Sequence, residues 1–156
     1  MINIAKGIIA GLVASAALSG AVCLAAWAAL VQAFDPVQAV SGIMLSPLGL
    51  SWVGHFALGT FLWGSLFSIL SPVLPGPFWF KGVVFGGIAW LFMLVVTWAA
   101  DPITLPRVDP RPVLFHLLFG VVLGSTYGIL LDRSERQGST ERVTRPSWPP
   151  RRPLPP

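Results

Sequence analysis

The sequence predicts an all-α integral membrane protein, a bundle of four transmembrane helices. Three observations carry this. Hydrophobic residues make up 54% of the chain and charged residues only 10%, with a mean hydropathy of +0.76. Soluble domains carry about 25% charged residues, so this chain lacks the polar surface to cover a water-soluble globule. Four apolar runs, roughly 7–32, 51–70, 78–100 and 113–131, each reach the about 20 residues a helix needs to cross hydrocarbon. All 15 prolines fall outside these runs, as they should where no water can replace a lost helix hydrogen bond.

The first run is read as a retained span. Lys6 and the triplet Val31-Gln32-Ala33 imitate a signal peptide, but the apolar stretch far exceeds the 7–15 residues of a signal's core. In the connection after this run, Asp35-Pro36 is a helix-start signature. It predicts a short interfacial helix over 37–45, ended by Ser46-Pro47, with an extended hydrophobic loop as the competing reading. The second and third runs are joined by the proline-rich turn 71–77, which makes them antiparallel neighbours. The third and fourth are joined by 101–112, which contains four prolines.

With four spans both termini share one side. That side carries Lys6, Lys81, Arg133, Arg136, Arg142, Arg145, Arg151 and Arg152, against Arg107 and Arg111 opposite. The positive-inside rule puts both termini in the cytoplasm. Trp52, Trp79 and Trp98 fall near span ends, where indole suits the headgroup boundary.

The net charge of +4 does not point to nucleic acid, because six of the ten basic residues lie after residue 132. No basic stripe interleaves with aromatics on a folded face. From Asp132 onward the chain is polar and then rich in Arg and Pro. Lacking an apolar face to offset ordering entropy, 132–156 is expected to be a disordered cytoplasmic tail. The single cysteine, Cys23, has no internal partner for a disulfide.

The two halves share an ordered set of landmarks. Lys6-Gly7 with Gly11 answers to Lys81-Gly82 with Gly86, Asp35-Pro36 to Asp101-Pro102, and His55 with Gly59 to His116 with Gly120. The spacings differ, so the pattern reads as a gapped tandem repeat of helical hairpins, related by an axis along the membrane normal. Gly7, Gly11, Ser15 and Ser19 recur every four residues, as do Gly120, Gly124 and Gly128. Residues four apart stay on nearly one face of a helix. Gly7, Gly11, Gly59, Gly82, Gly86, Gly120, Gly124 and Gly128 are therefore expected to pack helix against helix.

His55 and His116 are the ionisable groups inside the second and fourth spans, and such groups are functional candidates within a membrane. Each stands about four residues past the start of its run, on the same side as Asp35 and Asp101. These four form the candidate intramembrane polar site. Neither a nucleophile–base pair nor a phosphate loop stands out, and no close i, i+4 ligand pair points to a metal. The expectation is no catalysis and no cofactor.

Several motifs in order carry a resemblance over residues 1–130. They are Asn3 to Gly11; Trp52-Val53-Gly54-His55-Phe56 with Gly59-Thr60 and Trp63-Gly64; Lys81 to Gly86; and His116 with Gly120, Gly124 and Tyr127-Gly128. Together they resemble a family of small bacterial four-helix membrane proteins of unknown function. The resemblance implies a four-helix bacterial membrane protein and brings no known activity or site; the expected location is the cell inner membrane. The expected role is a non-enzymatic accessory or assembly protein whose partners are the bilayer and a homo-oligomer or another membrane protein. The alternative is a small oligomeric transporter or channel with an outer-face histidine site, and a third reading is a haem- or metal-binding membrane protein.

Overall fold

A computed structural model describes residues 2–27, 48–100 and 111–144. Over these residues all of the regular secondary structure is helical. Helix α1 is Ile4–Trp27, α3 is Phe78–Ala100 and α4 is Arg111–Thr144. Helix α2 spans 48–70 in three pieces, α-helical over Leu48–Ala57, π-helical over Leu58–Trp63 and α-helical again over Gly64–Leu70. Each of the four contains a stretch long and apolar enough to cross a membrane. The segment 37–45 and both Asp-Pro turns lie outside the described residues.

Local chemistry sets where α1 begins, three residues before the apolar run. The Asn3 side-chain oxygen accepts the Lys6 backbone N–H at 3.1 Å, and the Asn3 carbonyl accepts that of Gly7 at 3.0 Å. Asn3 is thus an N-cap. Its own N–H donates to the hydroxyl of Tyr127 at 3.1 Å, which ties the start of α1 to α4.

The turn between α2 and α3 is closed by similar bonds. Gly76 adopts φ 86°, a left-handed conformation that L side chains rarely take. The Lys81 ammonium donates to the Ser71 carbonyl at 2.7 Å and stands 5.1 Å over the Phe78 ring. A cation thereby meets the negative end of the α2 dipole.

Glycine sets how the helices pair. A Cβ on Gly11 would fall 2.5 Å from the Gly59 carbonyl oxygen and 3.0 Å from the Gly64 Cα. One on Gly124 would fall 3.0 Å from the Gly82 Cα, and one on Gly120 3.1 Å from the Gly86 Cα. Thus α1 lies backbone to backbone on α2, and α3 on α4. Gly128 differs, since it meets the Phe78 side chain at 2.9 Å.

Gly64 breaks the four-residue spacing of the other packing glycines, because it stands five positions after Gly59. The π-turn accounts for this. The Gly64 N–H donates to the Gly59 carbonyl, an i→i+5 bond that takes one extra residue into the helix while the later residues keep the same face toward α1. The inserted bulk, Phe61 and Leu62, is 62% and 49% exposed and faces outward, where lipid would lie.

The two hairpins meet chiefly along α1 and α4. The α2 and α3 backbones stay further apart, and rings bridge them. Phe85 stands edge-on to Trp63 at 5.9 Å and to Phe67 at 5.3 Å, and Phe67 stands edge-on to Tyr127 at 5.6 Å. Phe67, Phe85, Leu123 and Tyr127 are fully or almost fully buried. The core therefore sits in the half of the bundle that carries Asn3 and the 71–77 turn. On α3, Leu91, Phe92, Val95 and Trp98 are all exposed.

Helix α4 does not stop where hydrophobicity does. It continues through Asp132 to Thr144, across 13 residues that polarity alone assigns to a disordered tail. Extending a formed helix costs little once a nucleus exists, and the next proline is Pro146. Ser134 and Ser139 each bond back to the carbonyl one turn earlier. Residues 145–156 lie outside the described residues.

Glycine packing and the π-turn can each be tested by substitution. Gly82→Ala should destabilise the detergent-solubilised protein by about 1–3 kcal/mol through overpacking. Gly87→Ala, where a Cβ meets nothing within 4 Å, should be neutral or stabilising, because alanine favours helix by about 1 kcal/mol. Equal thermal midpoints for the two variants would remove the glycine contacts as the source of pairing. Deleting Leu62 should convert the π-turn to regular α-helix and leave the fold intact. Deleting Leu91 from the unbroken α3 should not be tolerated, and protease resistance of the purified variants reads the difference.

Candidate functional site

Four polar side chains lie together or in sequence at the α1–α2 contact. Ser15 is fully buried, Thr60 is 6% exposed, and Ser19 and His55 are half-buried. The Ser19 hydroxyl donates to the Ser15 carbonyl at 2.8 Å. The same Ser19 oxygen stands 3.4 Å from His55 Nε2, within hydrogen-bond distance. The His55 ring also stands edge-on to Phe56 at 5.5 Å.

Ser15 Oγ and Thr60 Oγ1 are buried and have no hydrogen-bond partner. A buried unsatisfied hydroxyl costs about 1–3 kcal/mol. For Ser15 part of this is offset by Gly59, since a side chain there would collide with Ser15 Oγ. The Cα–H it would replace therefore points at that oxygen, the geometry of a weak Cα–H···O bond.

His116 occupies a different environment. Its backbone carbonyl faces Gly86, so it belongs to the α3–α4 contact. Superposing Lys6-Gly7 with Gly11 on Lys81-Gly82 with Gly86 sets the two histidines one turn apart. Gly11 faces Gly59 and Thr60, whereas Gly86 faces His116. His116 therefore holds the position that Gly59 holds in the first hairpin, and His55 lies one turn before it.

Asp35 and Asp101 lie outside the described residues. Among the described residues no group of three His, Cys, Asp or Glu side chains comes together. What the described polar groups can do chemically is donate and accept hydrogen bonds and, at the imidazoles, accept a proton.

Sequence reading marks His55 as ionisable within a span but gives no means of pairing it with Ser19. That pairing depends on the α1–α2 register, which the π-turn sets. Tyr127 also goes unmarked as the anchor of α1. Its only signal is that a lone Tyr in an apolar span brings a hydroxyl that requires a partner.

No curated protein matches the chain, and no solved structure does. A family match spans residues 1–138, which take in all four stretches long and apolar enough to cross a membrane, up to Gly138 of α4. By that match the chain belongs to DUF6789, a family of unknown function.

Proposed function

We propose that the chain is a non-enzymatic accessory or assembly protein of the bacterial inner membrane, with both termini in the cytoplasm. One observation carries this reading: within each hairpin the helices touch backbone to backbone at Gly11–Gly64 and Gly82–Gly124. Such contacts leave no room for water or solute between paired helices, while α2, α3 and the outward face of α1 offer wide apolar surfaces to lipid or to another membrane protein. Lys6 and Ser134 touch across one end of the bundle, and Lys81 closes the turn on that same end. The grouping of these cations supports the cytoplasmic assignment.

The two hairpins are read as tandem copies. Each places the glycines of its Lys-Gly opening against its second helix. The five-residue step from Gly59 to Gly64 answers to the four-residue step from His116 to Gly120, with the π-turn absorbing the difference.

A second reading, a small oligomeric transporter or channel, draws support from the half-buried Ser19–His55 pair at the less densely packed end of the bundle. Proteoliposome flux measurements separate the two. No flux above empty liposomes is expected for the wild type. A flux lost in His55→Ala or His116→Ala would overturn the accessory-protein reading. For orientation, fusions after Thr144 and at the amino terminus should both report the cytoplasm. A periplasmic reporter active at either end contradicts the topology.

A further inference from the structure

We propose that Lys6, the Ser134 hydroxyl it touches and the neighbouring Arg133 form a binding site for the phosphate of an anionic phospholipid. The site stands where α1 enters and α4 leaves the apolar belt. Its parts come from opposite ends of the chain, joined by the contact of Lys6 Nζ with Ser134 Oγ. This junction is fixed from below, because Asn3 caps α1 while donating to Tyr127, whose ring is fully buried. The Lys6 end of α1 is therefore held against α4 before any ligand arrives.

Positive charge is in excess at this junction. Lys6 lies in the first turn of α1, which has no acidic residue, so its charge adds to the positive end of the helix dipole. Its polar partner there is a neutral hydroxyl, which hydrogen-bonds the ammonium without cancelling its charge. Over the described residues, Lys6, Lys81, Arg133 and Arg136 gather at this end, against the carboxylates of Asp132 and Glu135. Arg133 is exposed, and its guanidinium matches a phosphate with two parallel N–H donors. Ser134 donates to the Leu131 carbonyl. Its oxygen is thus an acceptor toward Lys6, and the remaining ammonium hydrogens are left for a phosphate.

A lipid headgroup fits better than a free anion because of depth. Leu131 is half-buried and Asp132 exposed, so the cations stand at the edge of the apolar surface, where headgroup phosphates lie. Basic residues at that level each contribute to attraction of anionic lipid.

The full chain, purified in detergent, is titrated with dioleoyl phosphatidylglycerol or dioleoyl phosphatidylcholine, and bound lipid is counted by native mass spectrometry. Phosphatidylglycerol should be retained in preference to phosphatidylcholine. The double variant Lys6→Gln/Arg133→Gln should weaken that retention about 25-fold, at about fivefold for each cation. Lys6→Arg should keep it, as should Arg142→Gln/Arg145→Gln, which removes charge further along the chain. The assignment is overturned if the Gln variant, folded by its thermal midpoint, retains phosphatidylglycerol as the wild type does. Equal retention of the two lipids overturns it as well. Displacement by millimolar inorganic phosphate would show a free-anion site instead, and loss only in the Arg142/Arg145 variant would move the binding to the tail.

Discussion

Backbone contact at glycine is the constraint on which this structure rests. In lipid, helices gain nothing by hiding apolar side chains from one another, since the surroundings are equally apolar. What remains is close packing, and its strength grows as two backbones approach. Gly82 and Gly120 each present a bare α-carbon to the other's carbonyl, and Gly11 does the same toward Gly59. Each hairpin is therefore a thin, tight pair. The space between hairpins is wider on the α2–α3 side, and there the chain supplies rings, Trp63, Phe67 and Phe85, set edge to face. Small residues inside the pairs and large ones between them give a core that is dense at one end of the bundle and open at the other.

Much of this architecture could be read from the residues. The run 78–100 coincides with α3 because Pro77 bounds it and no charge but Lys81 interrupts it. The four-residue periodicity of Gly120 and Gly124 locates the face of α4 that meets α3. Two features were hidden for definite reasons. The contact of Gly64 with Gly7 falls off any regular spacing, because a π-turn changes the period locally and a single inserted residue leaves no compositional mark. The length of α4 was hidden because hydropathy reports where lipid ends, while a helix stops only where its hydrogen bonds fail, and nothing between Asp132 and Thr144 forces that.

The candidate polar site was legible by residue type and not by geometry. His55 announces itself as an ionisable group in an apolar run, but its partner Ser19 lies 36 positions earlier in the chain. Only the α1–α2 register brings them together. The landmarks that suggest His55 and His116 as counterparts lie in the loops and helix starts, whereas the packing equivalence lies in the glycines. These two registers disagree by one turn. The single residue inserted at the π-turn accounts for the five-residue step from Gly59 to Gly64, not for the turn that separates the histidines.

Trp79 and Trp98 are both about half exposed, at the two ends of α3. Nineteen steps of helix separate them, about 29 Å at the usual rise, close to the roughly 30 Å of a bilayer's hydrocarbon. Indole rings settle at the boundary with water, so the pair acts as a ruler. An upright α3 matches its membrane, and leaning lets it fit a thinner one. A thicker membrane can be met only by pinching the surrounding lipid, at a modest cost for each ångström of mismatch. Where membranes of different thickness coexist, that mismatch by itself would sort this protein toward the thinner ones.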